Sequence, residues 1–158
     1  DDHESGGVSQ TPFAGRLLSV KLARGSAMWA HRVAIGNLRL VYVITTDKLL
    51  EYPDGRSRVA YIGTTKNGAA RVSQSAAYWA DWLFRQRGIY EFWVRIVTCT
   101  PRRRVKSWRK LERALILMFR ATYGAVPICN TQGKNTTWTD EKDYFSETRL
   151  KTILDELR

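Results

Sequence analysis

Soft metal ligands are scarce here: the 158 residues include two cysteines, two histidines and two methionines. Cys99 and Cys129 stand in apolar settings, Ile96-Val97-Thr98-Cys99 and Val126-Pro127-Ile128-Cys129, with no CxxC spacing. That scarcity speaks against a structural zinc site, and the pair reads as two reduced core thiols rather than a disulfide. Reduced thiols point to an intracellular setting, with cytoplasm and nucleus undistinguished. No apolar run approaches the roughly 18 residues a membrane span needs, so a soluble protein with no membrane partner is expected. Acid is scarce where base is plentiful. The chain carries 26 Lys+Arg against 15 Asp+Glu, a formal charge of +11. Three of those acids fall in residues 1–10 and six in residues 139–158, so residues 11–138 keep six acids against 22 bases, net +16. Such a middle is built to meet a polyanion. At 44% hydrophobic and 11% aromatic residues, there is ample apolar surface to offset ordering entropy, which excludes disorder for the body of the chain.

This length suits one domain with extensions, not two catalytic domains. The chain opens Asp1-Asp2-His3-Glu4, and residues 1–12 read as a flexible tail or an appended remnant. Residues 13–37 form an N-terminal extension of open structure, 38–138 the core, and 139–158 a helix packed on it. Residues 38–44 are β-branched and aromatic, a strand, and Tyr52-Pro53-Asp54-Gly55 is a turn. With a second strand at residues 58–63, they predict a long-looped antiparallel hairpin. A helix over about 69–87, capped by Asn67 or Thr65, buries Val72, Ala76 and Leu83 and stops at Gly88. A third strand spans residues 90–97. A second helix, about 103–123, buries Leu111, Leu115 and Met118, and one last helix covers about 141–157. The order β–β–α–β–α–α predicts an α+β domain, a small antiparallel sheet of three core strands flanked by helices.

Chemistry needs a cluster. Glu112 is the lone acid among Arg102, Arg103, Arg104, Lys106, Arg109, Lys110 and Arg113, and shares a helical face with Trp108, Ile116 and Phe119. A carboxylate on an apolar stripe needs a cation or hydrogen bonds, which a metal ion or a neighbouring base would supply. Arg71 falls in the first turn of its helix, beside free backbone N–H groups: a phosphate site, or an exposed surface arginine. Paired across the hairpin, Tyr42 and Tyr61 would set both phenols on one sheet face, with Gly63 allowing close approach. Either is also an ordinary strand residue. The run from Arg102 to Lys110 is a ridge for phosphates or a solvated helix start. Lys134 lies in a polar loop, and Trp138 beside it is the best placed tryptophan for base stacking.

Tyr61-Ile62-Gly63, with Arg71 ten residues after its tyrosine and Val41-Tyr42-Val43 on the strand before, resembles the signature of the GIY-YIG nuclease superfamily. Residues 61–73 are similar to the corresponding segment of that superfamily's excision-repair nuclease subunit. Glu112 and Asn130 follow in the family's order, and the resemblance covers roughly residues 38–131. Gly88-Ile89-Tyr90 comes too late in the chain to furnish the first tyrosine. The resemblance implies phosphodiester hydrolysis with one divalent ion, Mg²⁺ or Mn²⁺, held by Glu112. Tyr61 would be the general base, Arg71 would neutralise the phosphorane, Tyr42 would orient water or phosphate, and Asn130 would tie the site together. One hard cation on one protein oxygen agrees with the scarcity of acids, since two-metal sites need several convergent carboxylates. The first motif keeps only its tyrosine, the hairpin loop is longer than the family's, and Ser75 stands where a His or Tyr is common. Lys66 or Tyr78 would then be the proton-transfer partner. The expected activity is a metal-dependent endonuclease on duplex or branched DNA, with specificity from loops, DNA shape or a partner domain or subunit. A non-catalytic nucleic-acid-binding module with a relic site, and an RNA-cleaving nuclease or toxin, are the alternatives.

Overall fold

A computed structural model describes residues 17–23, 39–65, 69–130 and 137–158, the side chains of residues 69–71 aside. Its elements are β1 (Val20–Leu22), β2 (Leu40–Tyr52), β3 (Gly55–Thr65), α1 (Ala69–Arg87), β4 (Phe92–Cys99), α2 (Ser107–Tyr123), α3 (Glu141–Tyr144) and α4 (Glu147–Leu157). The architecture is α+β, but the sheet has four strands rather than three, in the order β1-β4-β2-β3, with every neighbouring pair antiparallel. The added strand, β1, is three residues long, too short to show a period in sequence; it pairs Val20 with Cys99 and buries Val20.

The hairpin has no long loop. β2 runs on to Tyr52, which pairs with Gly55 across a two-residue turn. The surplus residues sit inside the strand: Thr45 pairs with Val59 and Leu50 with Ser57, so four residues of β2 face one of β3. An irregularity of this kind bends the ribbon, and the far end folds back onto α2, where the Tyr52 ring meets Phe119 edge-on at 4.9 Å.

Among the described residues β3 pairs with a strand on one side only. Its other edge is closed by residues 128–130. Cys129 donates its N–H to Ala60 O at 2.9 Å. The Asn130 carboxamide accepts from Ile62 N at 2.9 Å and donates to Ile62 O at 2.8 Å. Tyr52 Oη donates to Val59 O at 2.6 Å and accepts from Ile128 N at 3.1 Å. Backbone groups that would stand open on an edge strand are thereby satisfied.

α2 packs against β2, β3 and β4, burying Leu111 and Leu115 as the periodicity predicts. It begins at Ser107, not near 103, because Arg104 adopts a left-handed φ of 63° and Val105 N bonds Arg102 O at 3.1 Å to close a turn. The expected single C-terminal helix is two. Phe145 is extended and Ser146 caps α4 by accepting from Arg149 N at 3.3 Å, a break that turns Tyr144 and Phe145 both into the core. The third strand lies two residues later than its apolar run suggests, because Cys99 is drawn into pairing with β1. Cys99 is half-buried and Cys129 buried, both free thiols, and burial pushes the latter up to about 12. Among the described residues no helix is long and apolar enough to cross a membrane.

α2 ends at Gly124, φ 83°, whose N–H bonds Arg120 O at 2.8 Å. A Cβ there would lie 2.6 Å from Asp54 Oδ2 in the hairpin turn, whereas Gly88, φ 64°, faces open space. Gly124→Ala should therefore cost about 2 kcal/mol and Gly88→Ala only about 1 kcal/mol, as read from urea midpoints. Equal losses would show that the turn does not seat on the helix end.

Candidate active site

Tyr42 pairs with Gly63, and Tyr61 with Ile44, so the two tyrosines are diagonal neighbours rather than the direct pair expected from sequence. Two-residue alternation still sets them on one face. Their ring centroids are 5.7 Å apart at 43°. Both lean over Gly63, where a Cβ would lie 2.7 Å from Tyr42 Oη and 2.5 Å from the Tyr61 ring. Only a residue without a side chain fits beneath them. Tyr42 is 1% exposed and Tyr61 half-buried. Asn130 holds Ile62, the residue between Tyr61 and Gly63.

From Tyr61 a row of rings leads outward. Trp79 of α1 lies over it at 5.2 Å and 32°, and Tyr78 meets Trp79 edge-on at 4.8 Å. Tyr78 is 65% exposed. Trp79 packs against the core and also backs Tyr61; nothing in the sequence pairs those two positions. Arg71 stands in the first turn of α1, two turns before Tyr78, with its side chain outside the described residues. Lys66 and Lys134 also lie outside the described residues. Ser75 is buried.

α2 runs from the start of β2 to the hairpin turn: Trp108 lies under the Arg39 guanidinium at 4.7 Å, and Phe119 meets Tyr52. Glu112, one turn past Trp108, is half-buried. Burial pushes its carboxyl up from 4.5 to about 7, against the opposing pull of Arg109. Among the described residues the Glu112 carboxylate enters no ion pair. No group of three or more His, Cys, Asp and Glu among those residues could hold a metal. A cation here would rest on Glu112 as its one carboxylate.

The basic run divides in two. Arg102, Arg103 and Arg104 lie in the turn before α2, not on a helix shared with Glu112, while Lys106, Arg109 and Lys110 sit at the helix start. Arg39, Arg102, Arg103, Arg104, Lys106 and Arg109 line a surface pocket of about 620 Å³. Arg39 carried no signal in sequence, because only the tertiary fold brings it to α2. Lys110 pairs with Asp140 at 2.6 Å, which holds that carboxyl below its usual range. Arg113 pairs at 2.5 Å with Glu141, 1% exposed. Burial would push Glu141 up, but hydrogen bonds from Thr139 and Arg113 outweigh it and hold the carboxyl low. Trp138 is half-buried, with Lys142 Nζ over its ring at 4.8 Å.

No protein-family model, no curated protein and no solved structure matches the chain. What the chain can do rests on the side chains themselves: a half-buried carboxyl on α2, a tilted pair of phenols on β2 and β3, and a cluster of cations before and at the start of α2.

Two measurements probe that arrangement. Gly63→Ala should lower stability by about 2 kcal/mol in urea denaturation, since either ring must move to admit a methyl group; an unchanged midpoint would mean the rings do not close over Gly63. Burial favours the neutral form of Glu112, so its stabilising contribution is full below 4.5 and lost as pH rises through about 7. Glu112→Gln cannot ionise. In metal-free buffer it should gain on the parent by on the order of 2 kcal/mol between about pH 5 and about pH 8. A pH-independent difference would place the carboxylate in water.

Proposed function

We propose that the chain is a metal-dependent DNA endonuclease of GIY-YIG type, hydrolysing phosphodiester bonds with one divalent ion. The observation that carries this reading is the pair of tyrosines over Gly63, with Asn130 holding the residue between them. Glu112 fits a hard cation: it is a carboxylate drawn partly out of water on a helix face of apolar neighbours, and a bound ion offsets that desolvation. Glu112 would hold Mg²⁺ or Mn²⁺, which when bound would supply Lewis-acid chemistry at the phosphate.

The chain's own residues divide the remaining work. Tyr61, half-buried and backed by Trp79, acts as its phenolate, giving up its own proton to solvent before it accepts that of the attacking water. Tyr42, enclosed on all sides, positions Tyr61 rather than touching substrate. Arg71 steadies the phosphate from the first turn of α1, where the helix end also favours an anion. Tyr78, exposed at the outer end of the row beside Trp79, and Lys66 are the two candidates for proton-transfer partner. Asn130 fixes the strand. The cations before and at the start of α2 supply affinity through phosphates without reading sequence.

A binding module with a relic site is favoured by one feature: the basic pocket is complete without Glu112. Supercoiled plasmid separates the two. With Mg²⁺ or Mn²⁺ the parent should nick it, and Glu112→Ala should lose more than about a hundredfold in rate while still binding DNA at low salt. Binding without nicking in either ion supports the relic module, and equal nicking by the variant removes Glu112 as the ligand. Cleavage of single-stranded RNA in preference to duplex DNA would move the activity to RNA.

A further inference from the structure

The pocket at the start of α2 differs from its neighbour in charge. A second cavity, about 500 Å³, shares Arg104, Lys106 and Arg109 as a wall, but Asp140 and Glu141 answer its other cations, Lys110 and Arg113. The 620 Å³ pocket contains six basic side chains, and among the described residues no acid lines it. Arg39, Arg103, Arg104, Lys106 and Arg109 are exposed. Like charges gathered in a concavity repel one another, and a polyanion removes that cost.

The shape narrows the choice of polyanion. A volume of about 620 Å³ falls within the range of sites that enclose a small ligand, roughly 300–1,000 Å³. A continuous duplex presents its phosphates on a convex cylinder and would rest on the rim. An unpaired strand can enter. The pocket also holds a flat platform: the Arg39 guanidinium lies over the Trp108 ring at 4.7 Å, and Trp108 is 8% exposed beneath it. Packing against the indole covers one side of the guanidinium, and Arg39 is itself exposed and lines the pocket. Single-strand sites use such planes for unpaired bases, with cations alongside for the backbone. Arg109 belongs both to this pocket and to the surroundings of Glu112, whose carboxyl it opposes in charge.

We propose that the pocket receives an unpaired strand of the nucleic-acid substrate, one base stacking on the outer face of Arg39 and the adjoining phosphates held by Arg103, Lys106 and Arg109. This rests on the nuclease reading only in taking nucleic acid as the ligand. It directs the activity toward DNA with an overhang or a branch.

The test uses the full chain carrying Glu112→Gln, without divalent ions, so that binding is read apart from cleavage. Fluorescence anisotropy compares a blunt duplex with the same duplex bearing a short single-stranded tail. The tailed form should bind about tenfold tighter, the scale of one stacked base. Arg39→Lys, which keeps the charge and loses the plane, should abolish that preference and leave the slope of affinity against salt as it was. Equal binding of tailed and blunt DNA by the parent overturns the proposal, as does a preference that survives in Arg39→Lys. Tripolyphosphate that displaces the tail while base-free abasic tails bind as well as natural ones also overturns it, reducing the pocket to a phosphate site. Loss of plasmid nicking with the tail preference intact would end the nuclease reading and spare the pocket.

Discussion

The carboxamide of Asn130 accepts from Ile62 N at 2.9 Å and donates to Ile62 O at 2.8 Å, and the position of everything around Tyr61 depends on that double bond. Among the described residues β3 has a strand partner on one side only, so without those contacts its outer edge would be free to shift or fray. With them, Tyr61 and Gly63 are held on either side of a fixed residue. Gly63 then opens the space into which Tyr42 and Tyr61 lean. The rings, the glycine and the amide form one mechanical unit, and the aromatic row through Trp79 to Tyr78 carries its order to the surface.

Charge is distributed to the same end. Acids are few in the middle of the chain, and the one on α2, Glu112, has no ion-pair partner among the described residues. The acids of the C-terminal segment do structural work instead. Glu141 and Asp140 clamp α3 against α2 through Arg113 and Lys110, which neutralises one flank of the basic surface and leaves the other positive. The division of labour explains how a strongly basic chain can pack a compact helix–sheet core and still present a pocket with no acid among its described lining residues.

Much of this was legible in sequence, and the rest was hidden for physical reasons. Apolar period alone locates α1 and the core positions of α2, because Val72, Ala76, Leu83, Leu111 and Leu115 face one way on a helix. The hairpin was visible, but not its bend, since a strand that sets four residues against one of its partner looks like a strand and a loop. The start of α2 was hidden by Arg104, whose left-handed backbone no composition rule assigns to arginine. β1 was invisible because its pairing comes from Cys99, not from its own three residues. In the site, Tyr42, Tyr61, Glu112 and Asn130 could be nominated from motif order. Trp79 behind Tyr61 and Arg39 over Trp108 could not, as both contacts exist only once the helices have packed.

The bond between Asn130 and Ile62 spans 68 residues of chain. During synthesis at about 5–20 residues per second, β3 therefore waits roughly 3 to 14 s with its outer edge unanswered before the amide that closes it has even been made. Over that interval the nascent hairpin offers an open row of N–H and C=O groups flanked by Val59, Ala60 and Ile62 to any passing strand. The outer edge of β3 closes only once Asn130 has followed it out of the ribosome.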